Sequence, residues 1–420
     1  MPQLPHDSAP DSTLALLSEG YAFISNRCRR HGSDIFETRL MLRKAVCMQG
    51  EEAARVFYTP GRFTRRGALP ASVLRLLQGK GSIATLDGKA HLQRKQMFMA
   101  LMTPESIGRL SDAMAEEWDK RLLRWEGMDR VMLHGEVRSI LCRAVCRWAG
   151  VPLPAAEAEE RTRELGAMID GAGMVGPRNW HATLLRRRTE RWLRQVVQEL
   201  RRGALQAPAE SAIQVFARQP DPHGKPLDAS MMAVELLNLL RPTVAIARFV
   251  TFAALALHEH PEWRRRLLDG GAQDLECFVQ EVRRFYPFFP LVAGRVLEPF
   301  AWRGHRFARG DWVLLDLYGT DHDSRIWGDP EAFRPDRFRD WDGSAFNLIP
   351  QGGGDHLLNH RCAGEWVTIA LMKRAVQLLT AMRYEVPEQD LRIELSRMPA
   401  LPRSGFVISR VERRPVTPAS

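Results

Sequence analysis

The segment Phe346-Asn-Leu-Ile-Pro-Gln-Gly-Gly-Gly-Asp-His-Leu-Leu-Asn-His-Arg-Cys362-Ala-Gly364-Glu constrains this chain more than any other. A polar, glycine-rich loop runs into a single cysteine, and an apolar run that reads as helix, Trp366 to Leu379, follows at once. Gly352, Gly353 and Gly354 permit backbone conformations closed to other residues, so the loop can lie flat against something large. A cysteine just ahead of a helix feels the positive end of the helix dipole and the free amides there, which favours its thiolate. Taken alone, the loop also fits a buried structural cysteine beside a glycine turn. Two upstream signatures decide between these readings.

The first is Glu281-Val-Arg-Arg284, inside the apolar run Phe278 to Tyr286. Glu281 and Arg284 are three apart and share a helix face. The second is Phe333-Arg-Pro-Asp-Arg337-Phe338, between that helix and the cysteine loop. Each is weak alone, because surface helices carry such pairs routinely; in this order before Cys-x-Gly the combination is strong. The set resembles the cytochrome P-450 superfamily. The resemblance implies a mainly α fold with small β-sheets and a long central helix over a buried haem b. Cys362 would be the thiolate ligand of the iron, a ligand that favours O–O cleavage. Glu281, Arg284 and Arg337 would form a buried salt-bridge triad that fixes the meander holding the cysteine loop.

Composition agrees with a large enzyme. At 420 residues and 45% hydrophobic, the chain can bury a substantial core. Nothing reads as a linker, so a single domain spanning 1–420 is expected, with short frayed tails at about 1–12 and 412–420. No basic-then-apolar leader pattern stands at the start. The six cysteines show no disulfide or zinc spacing, and Cys142 and Cys146 fit core packing. That usage suits a reducing cytoplasm. Net charge is +10, with arginines crowded at 186–188, 191, 194 and 201–202. Leu184, Leu185, Trp192, Val196, Val197 and Leu200 recur between them at helical spacing, so a solvated helix face is expected, not a nucleic-acid-binding arm. Strand-like pieces lie near Leu40–Met48, Val292–Leu317 and Gly405–Val411. The apolar run from Met231 to Leu257 is long enough to span a membrane, but Glu235, Asn238, Arg241, Pro242 and Arg248 interrupt it. A buried central helix is expected, with no membrane span.

That helix also narrows the resemblance. Oxygen-activating members of the superfamily carry an acid–threonine pair there. This chain reads Leu237-Asn-Leu-Leu-Arg241-Pro242-Thr-Val-Ala-Ile-Ala247, with no acid at that point. Proline removes a backbone donor and kinks a helix; arginine offers a permanent cation with a planar fork that matches a carboxylate. Here the chain is similar to the bacterial fatty-acid peroxygenase branch, from roughly Leu14 to Val407, with the nearest match at Arg241-Pro242, Phe278–Pro290 and Ile349–Trp366. The alternative for Arg241 is a pair with Glu235 or another core acid. The branch implies that a long-chain fatty acid places its carboxylate on Arg241 and that hydrogen peroxide is the oxidant. The substrate carboxylate would act as general acid–base, and hydroxylation would fall at the α or β carbon. No obligatory redox partner is implied.

By position in the family pattern, Arg65, His91, Lys95 and His360 are candidates for the haem propionates. Ala84, Ile169, Phe288, Phe289 and Leu291 should face the substrate. Three departures stand out: Ala84 where some relatives carry Gln or His, Ala363 in place of a common proline, and Arg248 where relatives are usually apolar. Ala84 supplies no proton donor, which disfavours decarboxylation to a terminal alkene. Arg248 either pairs with an acid or shapes the cavity. Two rival functions remain open to a sequence reading, a reductase-fed monooxygenase and a non-enzymatic haem sensor; the missing acid–threonine pair and the absence of a signalling segment weigh against them. Chain length, regiochemistry and oligomeric state are not legible.

Overall fold

The apolar run around Arg241 becomes the axis of the molecule. The structure, a computed structural model, describes residues 4–79, 81–174, 176–220 and 224–413. Two consecutive helices, Ala229–Ala245 and Ala247–Glu259, form the axis. Among the described residues this is the one stretch long and apolar enough to cross a membrane, and 89% of its most apolar window is buried inside the fold. It starts where Asp228 accepts hydrogen bonds from the Ser230 and Met231 amides (2.9 and 3.0 Å), capping donors that have no partner within the helix. It runs on through Pro242 and is interrupted at Ile246, whose amide reaches back to Thr243 O (3.2 Å). The helices Leu133–Ala149, Ala158–Asp170, Pro177–Arg201 and Glu365–Ala381 pack around this axis. Their apolar faces make one large core, in which Cys142 and Cys146 are fully buried and unbonded.

Among the described residues ten short strands are set against this helical mass: β1 Ile35–Leu40, β2 Arg43–Met48, β3 Phe63–Thr64, β4 Val131–Met132, β5 Leu291–Val296, β6 Phe300–Trp302, β7 His305–Phe307, β8 Trp312–Asp316, β9 Met382–Glu385 and β10 Val407–Arg413. The largest sheet has the order β1-β2-β8-β5-β3; β4-β10-β9 and β6-β7 form the others. The expected strand regions appear, although β1 lies almost wholly ahead of the expected Leu40–Met48; β3, β4 and β9 were not anticipated. They are two to four residues long and exist only through distant partners.

The N-terminal tail departs from expectation. Residues 4–12 are built into the sheet edge: Glu37 exchanges backbone bonds with Pro5 O and Asp7 N, and Asp7 pairs with buried Arg27 at 2.5 Å. The β1–β2 turn explains why. Met41 and Leu42 both hold positive φ (53° and 61°), a costly conformation for side chains of this kind. Their amides are met by Thr13 Oγ1 and Asp11 Oδ2, each at 2.6 Å. At the other end β10 continues through 413, and the expectation for 414–420 falls outside the described residues. The arginine-rich helix Pro177–Arg201 departs too: Arg187, Arg188 and Arg191 are exposed as expected, but Arg186 is only 4% exposed and turns inward, whereas Leu184 faces out.

Asp316 ends β8 by accepting the Gly319 amide (2.7 Å), while its second oxygen has no partner. Burial pushes its carboxyl up to about 7, against the help of that amide. The fold therefore holds the proton more tightly than the unfolded chain. The associated stability is complete below the ordinary carboxylate range and is lost, at about 1.4 kcal/mol per pH unit, as pH rises from there to about 7. Asp316→Asn should leave the melting temperature near wild type at pH 4 and exceed it progressively up to pH 7. Equal melting curves at pH 4 and pH 8 would refute this account.

Candidate active site

The cysteine loop is tied down by two buried ion clusters. In the first, Glu281 accepts from Arg284 Nε and Nη2 (2.7 and 2.8 Å), from the Arg334 amide (2.7 Å) and from Arg337 Nε (3.3 Å). Arg284 also donates to Asp321 O and Pro330 O, and Arg337 to Trp327 O and Asp329 O. The two guanidiniums thus answer carbonyls at both ends of the segment 321–332. In the second cluster Glu365, first residue of the helix after the cysteine, meets Arg283, Arg361 Nε (2.6 Å) and His356 Nε2 (3.1 Å). Although burial opposes it, Arg283, His356 and Arg361 hold the Glu365 carboxyl well below its usual range. Sequence reasoning found Glu281, Arg284 and Arg337 and missed Arg283 and Glu365; the doubled arginine at 283–284 was the available signal.

Cys362 lies between these anchors. Its amide donates to Gln351 O (3.2 Å), and Gln351 Nε2 lies 3.7 Å from Sγ while also donating to Thr368 Oγ1 (3.1 Å). Gly352 and Gly354 have φ of 92° and 81°, and a Cβ on Gly354 would lie 2.5 Å from Asn359 Oδ1. The loop's flatness is thus set by its own chain. The expected thiolate bias does not hold for the protein alone: burial, followed by the Glu365 charge, pushes the Cys362 thiol up, and Lys95, the Gly364 amide and Arg283 offset this only in part.

Beside the cysteine the structure gathers His91, Lys95, His360 and Arg65. The rings of His91 and His360 lie 4.1 Å apart. Lys95 Nζ is buried against Asn359 O and Arg361 O, and Arg65 Nη1 donates to Ala293 O (3.1 Å). Burial, then the neighbouring Lys95, pushes His91 down to about 4; burial, Arg65 and His91 push His360 well below its ordinary value. Neither Arg65 nor Lys95 has a carboxylate within ion-pair distance among the described residues, and His91 Nε2 is buried without a partner. A cationic pocket short of anions, next to a cysteine sulfur, fits a flat cofactor with two carboxylate arms.

Arg241 shows the same deficit on the central helix. It is 6% exposed, donates from Nη1 to Leu76 O (3.1 Å) and meets no carboxylate among the described residues. Glu235, its alternative partner, is taken by Arg94 (2.5 Å), the Ile83 amide (3.0 Å) and Asn238 Nδ2 (3.1 Å). Burial, followed by the nearby Arg186 cation, pushes the Arg241 guanidinium down to about 9. The cation is held at a cost that an incoming carboxylate would relieve. Arg248 is settled differently: it pairs with Asp170 at 2.5 Å, which Arg138 also holds at 2.6 Å.

Of the expected substrate wall, Ile169 and Phe288 belong to the main core, Phe288 stacked on Phe249 at 4.1 Å, and Ala84 sits in the single turn Ile83–Thr85. Phe289 is 42% exposed, and Leu291 packs on the separate Phe23–Ile24 cluster, so contacts do not place these two in that wall.

A sequence model of the cytochrome P450 family matches residues 275–406. Solved structures align along nearly the whole chain. Cytochrome P450SP alpha (CYP152B1), in complex with (R)-ibuprophen, is 47% identical, with a TM-score of 0.94 over 96% of this chain and 100% of that one. Cytochrome P450EX alpha (CYP152N1), with myristic acid, is 42% identical, with a TM-score of 0.95 over 99% and 100%. A cytochrome P450 OleT variant in complex with arachidonic acid is 37% identical, with a TM-score of 0.96 over 99% and 100%. Rhazimal synthase of Alstonia scholaris is 30% identical over 35% of this chain, which covers 32% of that protein's length. The chain belongs to the cytochrome P450 family and, within it, to the CYP152 branch. Its cofactor is accordingly haem b with a cysteine thiolate ligand.

Glu281→Gln removes the charge that both guanidiniums answer and leaves them buried against carbonyls alone. Breaking a buried pair from one side costs about 3–5 kcal/mol. Thermal unfolding of Glu281→Gln should show a loss of that order together with weakened haem retention; a melting curve within 1 °C or so of wild type would exclude the anchoring role.

Proposed function

We propose that the chain is a haem-thiolate peroxygenase that hydroxylates long-chain fatty acids at the α or β carbon with hydrogen peroxide. The observation that carries this reading is Arg241, a buried cation on the central helix with no carboxylate beside it. Fatty acids bound to two relatives, myristic and arachidonic acid, support it.

In this reading Cys362 is the iron ligand, and Arg65, His91, Lys95 and His360 hold the propionates. Haem b supplies peroxide activation at its iron. The chain's own residues supply the rest. Arg241 turns from Leu76 O to bind the substrate carboxylate, and Pro242, which has no amide hydrogen for Asn238 O, loosens the helix beside it. Ala84, Ile169 and Phe288 enclose the alkyl chain and exclude water, so the ion pair acts in a low dielectric. From Arg241 to Ala247 there is no acid, and the Thr243 hydroxyl is spent on Leu239 O (2.9 Å). The substrate's carboxylate, fixed on Arg241, is left as the general acid–base that moves the peroxide proton. The reaction balances as R–H + H2O2 → R–OH + H2O, with peroxide as the oxidant and no external reductant, so no redox partner is required. Head-group fixation presents the carbons nearest the carboxylate. The Ala84 methyl offers no proton, which favours hydroxylation over loss of the carboxylate.

Purified holoprotein should oxidise myristate with hydrogen peroxide alone and should be inert, in the presence of catalase, with NADPH and a surrogate ferredoxin system. The opposite pattern would restore the monooxygenase reading.

Arg241→Ala should lose about a hundred- to a few-thousand-fold in myristate oxidation, the rate equivalent of an unpaired buried charge. Methyl myristate should fail with wild type. Turnover of the ester at the rate of the acid would sink the carboxylate-assisted mechanism.

A further inference from the structure

Arg186 was expected on a solvated face, yet it reaches inward to the same acceptor as Arg241. Its Nη1 donates to Leu76 O at 2.8 Å, where Arg241 Nη1 donates at 3.1 Å. A carbonyl oxygen has two lone pairs, and here two guanidiniums occupy them. The two arginines differ in what balances them. Arg186 Nε pairs with Glu190 one turn along its own helix (2.8 Å), whereas Arg241 has no acid. Arg186 is also wedged in place: a Cβ on Gly79 would lie 2.7 Å from its Nη2, an atom that is buried and unpartnered.

The acceptor belongs to a strap laid along one face of the central helix. Asn238 Nδ2 donates to Gln78 O (3.0 Å), Gly79 and Gly81 pack against Val234 and Met231, and the Ile83 amide donates to Glu235 (3.0 Å). Residues 231, 234, 235, 238 and 241 share that face, and the strap they hold leads directly into Ala84.

We propose that Arg186 is a positioning residue for Arg241: it holds the Leu76 carbonyl so that Arg241 can leave it for a fatty-acid carboxylate without unseating the strap. The proposal rests on the carboxylate-binding reading of Arg241. With Arg186 present, recruitment of Arg241 leaves Leu76 O satisfied. Without Arg186, the same movement strands a buried carbonyl, and fatty-acid binding bears that penalty, roughly a ten- to hundredfold loss of affinity. Arg186 does not touch the substrate, so the loss falls on binding and KM rather than on kcat.

The test is calorimetric titration of haem-loaded protein with myristate, paired with steady-state kinetics, for wild type, Arg186→Met, Arg186→Lys and Arg241→Ala. Arg186→Met should bind roughly tenfold or more weakly, with kcat within about threefold of wild type. Arg186→Lys, which keeps one donor and the charge, should recover most of the affinity. If Arg186→Met does not assemble with haem, Arg186→Gln, which keeps a polar head beside Glu190, carries the same expectation. Wild-type affinity in the neutral variants, with Arg241→Ala defective, would overturn the positioning role and leave the carboxylate reading standing. A lysine variant as weak as the methionine would overturn it as well. Wild-type affinity in Arg241→Ala would overturn the carboxylate reading itself.

Discussion

Charge compensation in a dry interior organises this molecule. Four donors from one helix and the segment after it converge on Glu281, and the guanidiniums that supply three of them go on to answer carbonyls of the segment 321–332. Those carbonyls lie outside helix or sheet ladders for much of that stretch, and a buried, unpaired carbonyl is costly. One carboxylate thus orders a long irregular stretch that apolar packing alone would not hold. Glu365 repeats the device on the far side of Cys362, so the sulfur is held between two fixed points rather than at the end of a free loop.

The same rule makes exceptions informative. Arg94, Arg248, Arg283 and Arg284 each have a carboxylate. Arg241, Arg65 and Lys95 are the inward-facing cations discussed above that have none among the described residues, and they lie on the central helix and beside the cysteine loop. In the proposed reading these unpaired cations are the seats of three anions, two on the cofactor and one on the substrate. Burial also governs the cysteine. Enclosure and the Glu365 charge push its thiol up, against Lys95, the Gly364 amide and Arg283.

The sequence made legible whatever is local or carried by spacing. Glu281 and Arg284 are three apart, and Cys362 stands just ahead of a helix. What escaped it depends on contacts between remote segments. Periodicity separated the two faces of Pro177–Arg201 but did not say that Arg186, at their boundary, turns in and Leu184 out. Glu235 reads as an interruption of an apolar run, and only the fold shows it joined to Ile83 and Arg94. The proline-rich start reads as loose because composition does not reveal that Asp7, Asp11 and Thr13 answer specific partners on the β1–β2 hairpin and on Arg27.

That last feature bears on the edge of the five-stranded sheet. Strand β1 lies at the margin of the five-stranded sheet, and its outer backbone groups would otherwise offer a template for pairing with another chain. Pro5, His6 and Asp7 occupy that margin, with a proline whose ring cannot extend a ladder. Residues 4–13 therefore work as a selvedge on the woven sheet. Trimming them as dispensable would strip the Met41–Leu42 turn of its two side-chain acceptors and bare the strand edge together, trading a tidy boundary for a sticky one.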